Sequence, residues 1–268
     1  MKKVFTLAAV FALFASTQAF AIAGVGAHYI MNTGSLKGSS GPINLGGGFP
    51  GEIISVNQEK TSGLQGLGFK AWIDILPFID IEGTLNIAAT RYKTSLVIPT
   101  LTEDGTIERK TIKLSYTPEA PYSMIFGDAD PLFGVVNGDL SVTYPFDLPI
   151  IRPYIGAGIS YFASIPIVNA SFTQKMIDNS SELVELLSDP TNPENAEAAS
   201  KIGSALAKTL QEESYTTGVG GHLIVGLRAK LPIIPIAAYA NGKYYFGGNT
   251  NSQFTQGFVL EVGGGFAL

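Results

Sequence analysis

The sequence predicts an all-β fold: an eight-stranded antiparallel up-and-down transmembrane β-barrel with long outer loops. Three observations carry that expectation. Apolar residues recur at every second position through most of the chain. Three short, proline-bearing connections alternate with four long ones. The stretch 258–268 places Phe258, Leu260, Val262, Gly264, Phe266 and Leu268 on one face, against Val259, Glu261, Gly263, Gly265 and Ala267 on the other. The chain is 46% hydrophobic and only 15% charged, light on charge for a soluble domain of 268 residues. A barrel that shows lipid one face of each strand resolves that tension.

The first residues carry export information. Lys2 and Lys3 precede an apolar run over 4–15, and Ala19-Phe20-Ala21 supplies a small-x-small cleavage pattern. This is a signal peptide over 1–21, cleaved after Ala21, which leaves 22–268 as the barrel domain. The run falls short of the roughly 20 apolar residues that a helical span needs. Removing Lys2 and Lys3 leaves 15 basic against 22 acidic residues, a net charge of −7. An acidic chain has no electrostatic case for nucleic acid. With no cysteine there is no disulfide, thiolate metal site or lipid attached through sulfur.

Each strand follows from its alternation. The first, over 23–31, sets Val25, Ala27, Tyr29 and Met31 against Gly24, Gly26 and His28. The second, 66–75, sets Leu67, Phe69, Ala71, Ile73 and Ile75 against Lys70, Trp72 and Asp74. After the turn at Pro77, the third, 79–92, sets Ile79, Ile81, Leu85 and Ile87 against Asp80, Glu82, Thr84 and Asn86. The fourth opposes Val136, Leu140, Val142 and Tyr144 to Asn137, Asp139, Ser141 and Thr143. Pro149 marks the next turn, and the fifth opposes Ile155, Ala157, Ile159 and Tyr161 to Tyr154, Gly156, Gly158 and Ser160. The sixth, 219–230, and the seventh, 236–246, flank the turn with Pro232 and Pro235, and 258–268 closes the sheet. Proline lacks the ladder donor and so marks strand ends.

Three tight turns then lie at one end and the loops 33–61, 97–131, 166–213 and 247–255 at the other. Short inner turns and long outer loops are the pattern of bacterial outer-membrane barrels, in which about 9–11 residues span. A soluble barrel alternates as well, with the polarity reversed; the export signal and the loop asymmetry select the membrane version. Loop 33–61, rich in Gly and Ser, is expected to be mobile. Glu103-Asp104-Gly105-Thr106 predicts a hairpin between 94–101 and 111–116, either extending the barrel wall above the membrane or adding two spanning strands to make ten, although Glu108, Arg109, Lys110 and Lys113 argue against lipid contact. Asn179 and Glu182 at capping-box spacing predict a helix over 183–187, and 191–194 opens a second run.

The inward face collects the charge: Lys70, Asp74, Asp80, Glu82, Asp139, Arg152, Arg228, Lys230, Lys243 and Glu261. An eight-strand lumen is just wide enough for side chains to fill it, and buried charges need partners. One reading is an ion-pair core without an aqueous path; the other is a gated conductance. Catalysis has little support: His28 and His222 are the only histidines, and Ser141 or Ser160 near His222 lacks an acid beside it. No catalytic, cofactor or metal residue is assigned, and no enzyme activity is expected.

The segment Pro153-Tyr154-Ile155-Gly156-Ala157-Gly158-Ile159-Ser160-Tyr161 resembles the strand after an inner turn in small outer-membrane barrel families. These are the OmpA-type transmembrane domain, the OmpX and opacity-type barrels, and the OmpW-type barrels. The chain departs from them in ending on Leu268 rather than Phe or Trp, with Phe266 two residues earlier. No peptidoglycan-binding domain is expected after Leu268. The resemblance implies an integral protein of the Gram-negative outer membrane with a structural or surface-interaction role and a largely filled polar lumen. The alternative it implies is a narrow, porin-like channel for small or hydrophobic solutes. Implied partners are outer-membrane lipid, the barrel-assembly machinery through the last strand, and an extracellular ligand or surface met by the loops.

Overall fold

A computed structural model describes residues 23–43, 54–76, 78–101, 104, 106–115, 130–146, 148, 150–181, 205, 208–209, 215–230, 234–248 and 250–267. The expected signal peptide, the run over 183–187 and most of the second helical run lie outside these residues. Eight long strands form the wall: β1 (Ala23–Leu36), β4 (Thr61–Leu76), β5 (Ile79–Arg91), β8 (Leu132–Pro145), β9 (Ile151–Ser164), β10 (Thr216–Lys230), β11 (Ile236–Gly247) and β13 (Phe258–Ala267). The short β12 (Phe254–Thr255) adds to the outer end of β1. Each long strand pairs antiparallel with its neighbours, and β1 pairs with both β4 and β13, so the sheet closes. Closure leaves no strand edge facing lipid, which a membrane wall requires. Among the described residues no helix is long and apolar enough to cross a membrane; the spanning elements are strands.

The polarity of the barrel is inverted relative to a soluble protein. Outward Val219 is 72% exposed and Leu67 67%, whereas inward Lys243 and Glu261 are both 0% exposed. Aromatic residues Tyr144, Phe146 and Phe78 ring the inner end of that apolar exterior, with Tyr144 and Phe146 edge to face at 5.2 Å. Tyr161, Tyr244, Phe246 and Tyr215 stand exposed towards the other end. Only lipid makes such an outer face favourable.

Most strands run beyond the segments that alternation predicts. The β1 strand continues from Met31 to Leu36 and β4 begins at Thr61, because the ladder persists above the membrane after outward residues turn polar at Thr33, Ser35 and Ser62. The inward face changes character at the same height. Ile30, Leu64, Val135, Phe162 and Val259 all point in and are buried, so the outer end of a lumen expected to be mostly polar is apolar.

Above them sits a second sheet, which corrects two expectations. Part of loop 33–61, expected to be mobile, forms β2 (Ser39–Ile43) and β3 (Ile54–Gln58). The hairpin of β6 (Thr94–Leu101) and β7 (Ile107–Lys113) joins them in the order β2-β3-β6-β7, rather than extending the wall. One face of this sheet, with Ile43, Ile54, Val56, Leu96 and Ile98, shares a single apolar core with Leu36, Phe133 and Phe254 of the barrel mouth. Helix α1 (Ala170–Asp178) completes the cap. Asn169 caps it by accepting from the Phe172 amide at 2.9 Å, and Phe172, Met176 and Ile177 bury one face. Asn179, expected to open a helix over 183–187, is the C-cap of α1, and the helix expected after it lies outside the described residues. Tyr92 fastens cap to wall: its hydroxyl accepts the Val168 amide at 2.7 Å, and burial pushes its phenol well above its ordinary value.

Candidate functional site: the ionic lumen

Among the described residues the lumen below the cap holds four cations, Lys70, Arg152, Arg228 and Lys243, and five carboxylates, Asp74, Asp80, Glu82, Asp139 and Glu261. Strand register sets their layout. Asp74 and Asp80 are direct cross-strand partners on β4 and β5, and Arg228 and Arg152 are direct partners on β10 and β9. Each like-charged pair is unfavourable alone. Facing each other near the inner end, they neutralise. Arg152 Nη1 lies 2.8 Å from Asp74 and 3.2 Å from Asp80, and Arg228 Nη1 lies 3.2 Å from Asp74 and 3.6 Å from Asp80.

Glu82 links this layer to the next. Its two oxygens meet Arg228 Nη2 at 2.5 Å and Lys70 Nζ at 2.7 Å. Lys70 also donates to the Tyr154 hydroxyl at 2.7 Å and stands 5.0 Å from the Tyr154 and Tyr239 ring centres. Tyr154 in turn donates to Asn241 Oδ1. The Arg228 guanidinium stacks 4.7 Å from the Trp72 ring. Aromatic faces thus supply part of the solvation that water would give these cations.

The outer layer is organised by Lys243, which donates to Asp139 and meets Glu261, each at 2.8 Å. Asp139 Oδ2 also accepts from Thr84 at 2.9 Å and Tyr245 at 2.8 Å, while its Oδ1 accepts from Asn137 at 3.0 Å. Glu261 accepts from Asn86 at 2.8 Å and Asn241 at 2.9 Å. A buried carboxylate with several donors is matched rather than merely offset by charge.

Both histidines close this layer against the wall. His28 Nε2 donates to Asn86 Oδ1 at 2.7 Å and its Nδ1 faces the Tyr239 hydroxyl at 3.2 Å. His222 sits between Ser141 and Ser160, with both ring nitrogens 2.8 Å from a hydroxyl. Glycines on the inner wall make room for these rings: a Cβ at Gly158 would lie 2.6 Å from the His222 ring, and one at Gly68 2.2 Å from His28. Ser141 and Ser160 do meet His222, but all three are buried and the serines occupy both ring nitrogens. Among the described residues no cluster of His, Asp or Glu is arranged to hold a metal ion.

Nine of the ten charged positions singled out from the sequence fall in this network, and the side chain of the tenth, Lys230, lies outside the described ones. The neutral members went unnoticed as site residues: Thr84, Asn86, Tyr154, Asn241 and Tyr245 connect the charges. Alternation places each of them inward, yet an uncharged polar residue on a strand carries no further mark. Above Tyr245 the polar region ends, because Phe162 packs edge to face on its ring at 5.3 Å and belongs to the cap core.

No protein-family profile matches the chain, and no curated protein matches it in sequence. Among solved structures it is similar to Ail, the attachment invasion locus protein of Yersinia pestis, in complex with the heparin analogue sucrose octasulfate. Identity there is 7% and the TM-score 0.43, covering 92% of this chain and 97% of that one. The outer membrane protein OprG of Pseudomonas aeruginosa gives 13% and 0.42, covering 92% and 95%. The N-terminal β-barrel domain of Pseudomonas aeruginosa OprF gives 10% and 0.32, covering 91% and 99%. The architecture stands on the chain's own ladders rather than on these likenesses: an eight-stranded antiparallel barrel of the transmembrane kind, apolar outside and ionic within.

Proposed function

We propose that this protein is an integral outer-membrane barrel that presents a folded cap at the cell surface and does not serve as a conduit. The observation that carries this reading is the double closure of the lumen. Ion pairs and hydrogen bonds fill its inner and middle parts, and the apolar core around Leu36, Phe133, Phe162 and Phe254 seals its outer end. A solute would have to break an interlinked ionic network and then unpack a cap. The long outer loops are the parts left to meet a ligand or another surface. The last strand, with Phe266 outward, is the segment offered to assembly machinery.

A narrow channel for hydrophobic solutes needs an apolar funnel that is open. The apolar region exists here, but side chains pack it. An enzymatic role through His222 needs a substrate path to a residue that is 0% exposed. The test is conductance of the full mature chain in planar bilayers. We expect rare, small steps or none. Large, steady, porin-like steps would refute the sealed-lumen reading.

A further inference from the structure

The lipid-facing wall is uneven in one sector. Outward Ala71, Gly83 and Gly138 lie on β4, β5 and β8, with Ala71 directly opposite Gly83. A Cβ at Gly138 would meet nothing within 4 Å, and one at Gly83 would meet only a backbone oxygen at 4.0 Å. Exposed Phe69, Leu85 and Ile159 stand around this floor. Together they bound an apolar furrow of about 780 Å³ that runs across β1, β4, β5, β8, β9 and β10.

The same sector carries a distinct charge pattern at its outer rim. Lys37 follows β1, Lys60 precedes β4, Arg91 ends β5 and Lys93 follows it; all four are exposed. Among the described residues none of the four makes an ion pair, and Arg91 donates to the Asp130 carbonyl at 2.9 Å. Glu59 and Asp130 are the acids alongside. The outer ends of β8, β9, β10, β11 and β13 carry no basic residue among those described. Among the described residues, the cations that directly flank the outer ends of wall strands therefore lie on three consecutive strands, β1, β4 and β5, which also border the furrow.

The heights fit one occupant. Arg91 is six residues beyond Leu85, and Lys60 nine beyond Phe69. At about 3.3 Å per residue and a tilt of about 45°, the furrow lies roughly 14–21 Å below the cations. Half the hydrocarbon thickness is about 15 Å. A molecule with phosphates at the rim and several acyl chains hanging from them meets both features at once.

We propose that this sector seats a phosphorylated, multi-acyl lipid of the outer leaflet, with its phosphates on Lys37, Lys60, Arg91 and Lys93 and an acyl chain in the furrow. The inference needs the barrel to lie in a membrane but does not depend on whether the lumen conducts. A second copy of the chain would use the furrow without the cations; the charge pattern favours the lipid.

The experiment measures binding of bis-phosphorylated lipid A to the full mature chain in detergent by native mass spectrometry. Lipid A stripped of both phosphates is the second probe. Two variants are compared, each checked for intact heat-modifiable migration: Lys37→Gln with Lys60→Gln, Arg91→Gln and Lys93→Gln, and Gly83→Leu with Gly138→Leu. We expect at least tenfold weaker binding for the charge variant, several-fold weaker binding for the filled furrow, and at least tenfold weaker binding of the stripped probe. Unchanged binding by the charge variant, or equal binding of both probes, overturns the proposal. So does a dimer abolished by the leucines while lipid A binding stays as in the parent.

Discussion

The molecule has two cores built on opposite principles within one closed sheet. In the membrane-embedded lumen, stability comes from charges that must find each other; in the cap, from apolar side chains withdrawn from water. Lys243, Asp139 and Glu261 illustrate the first, each held by groups on other strands. Leu36, Phe133 and Phe254 illustrate the second, with the two phenylalanine rings 5.0 Å apart. The solvent on the far side of the wall explains the difference. Where lipid covers the exterior, the apolar residues are spent outside and polar ones fill the centre. Where water covers it, the usual order returns.

The two cores should fail differently. Lys243→Met leaves two buried carboxylates without their shared cation, and breaking such a pair costs about 3–5 kcal/mol. We expect a large drop in the denaturant midpoint of the whole barrel, read from heat-modifiable migration. Migration at the parent midpoint would mean that the network is dispensable. Phe254→Ala opens a cavity worth about 3 kcal/mol in an apolar core. Its loss should stay local, with faster protease nicking within 39–58 or 94–113 and little change in barrel migration. A barrel that unfolds along with the cap would show that the two cores act as one. Asn169→Ala removes the N-cap of α1 and costs about 1 kcal/mol. Nicking near 170–178 should rise modestly, and an unchanged rate would mean that the helix is held by packing alone.

Sequence reasoning reads the lumen far better than the cap, for a physical reason. A two-residue period records which face meets lipid, so alternation alone places every described charged position in 66–90 and 219–246 inward. That period fades once both faces meet water or protein. The β2 and β3 strands are only 5 residues each. Their Gly and Ser content reads as loop, although Ile43, Ile54 and Val56 bury their side chains. Helix α1 opens at Asn169, which lacks a Glu or Gln three residues later and so offers no capping box by which the sequence could announce it. Neutral connectors such as Asn86 and Tyr154 gain their meaning only from partners 58 or 84 residues away.

The central claim is that alternate residues of β10 face lipid and a filled, water-free interior. Nitroxide labels placed one at a time from 219 to 227 in liposomes test it most directly, with oxygen as the lipid-soluble relaxer and a nickel chelate as the aqueous one. Strong oxygen contact is expected at 219, 221, 223, 225 and 227, with neither relaxer reaching 222, 224 and 226. Nickel access at those even positions would reveal an aqueous bore and contradict it.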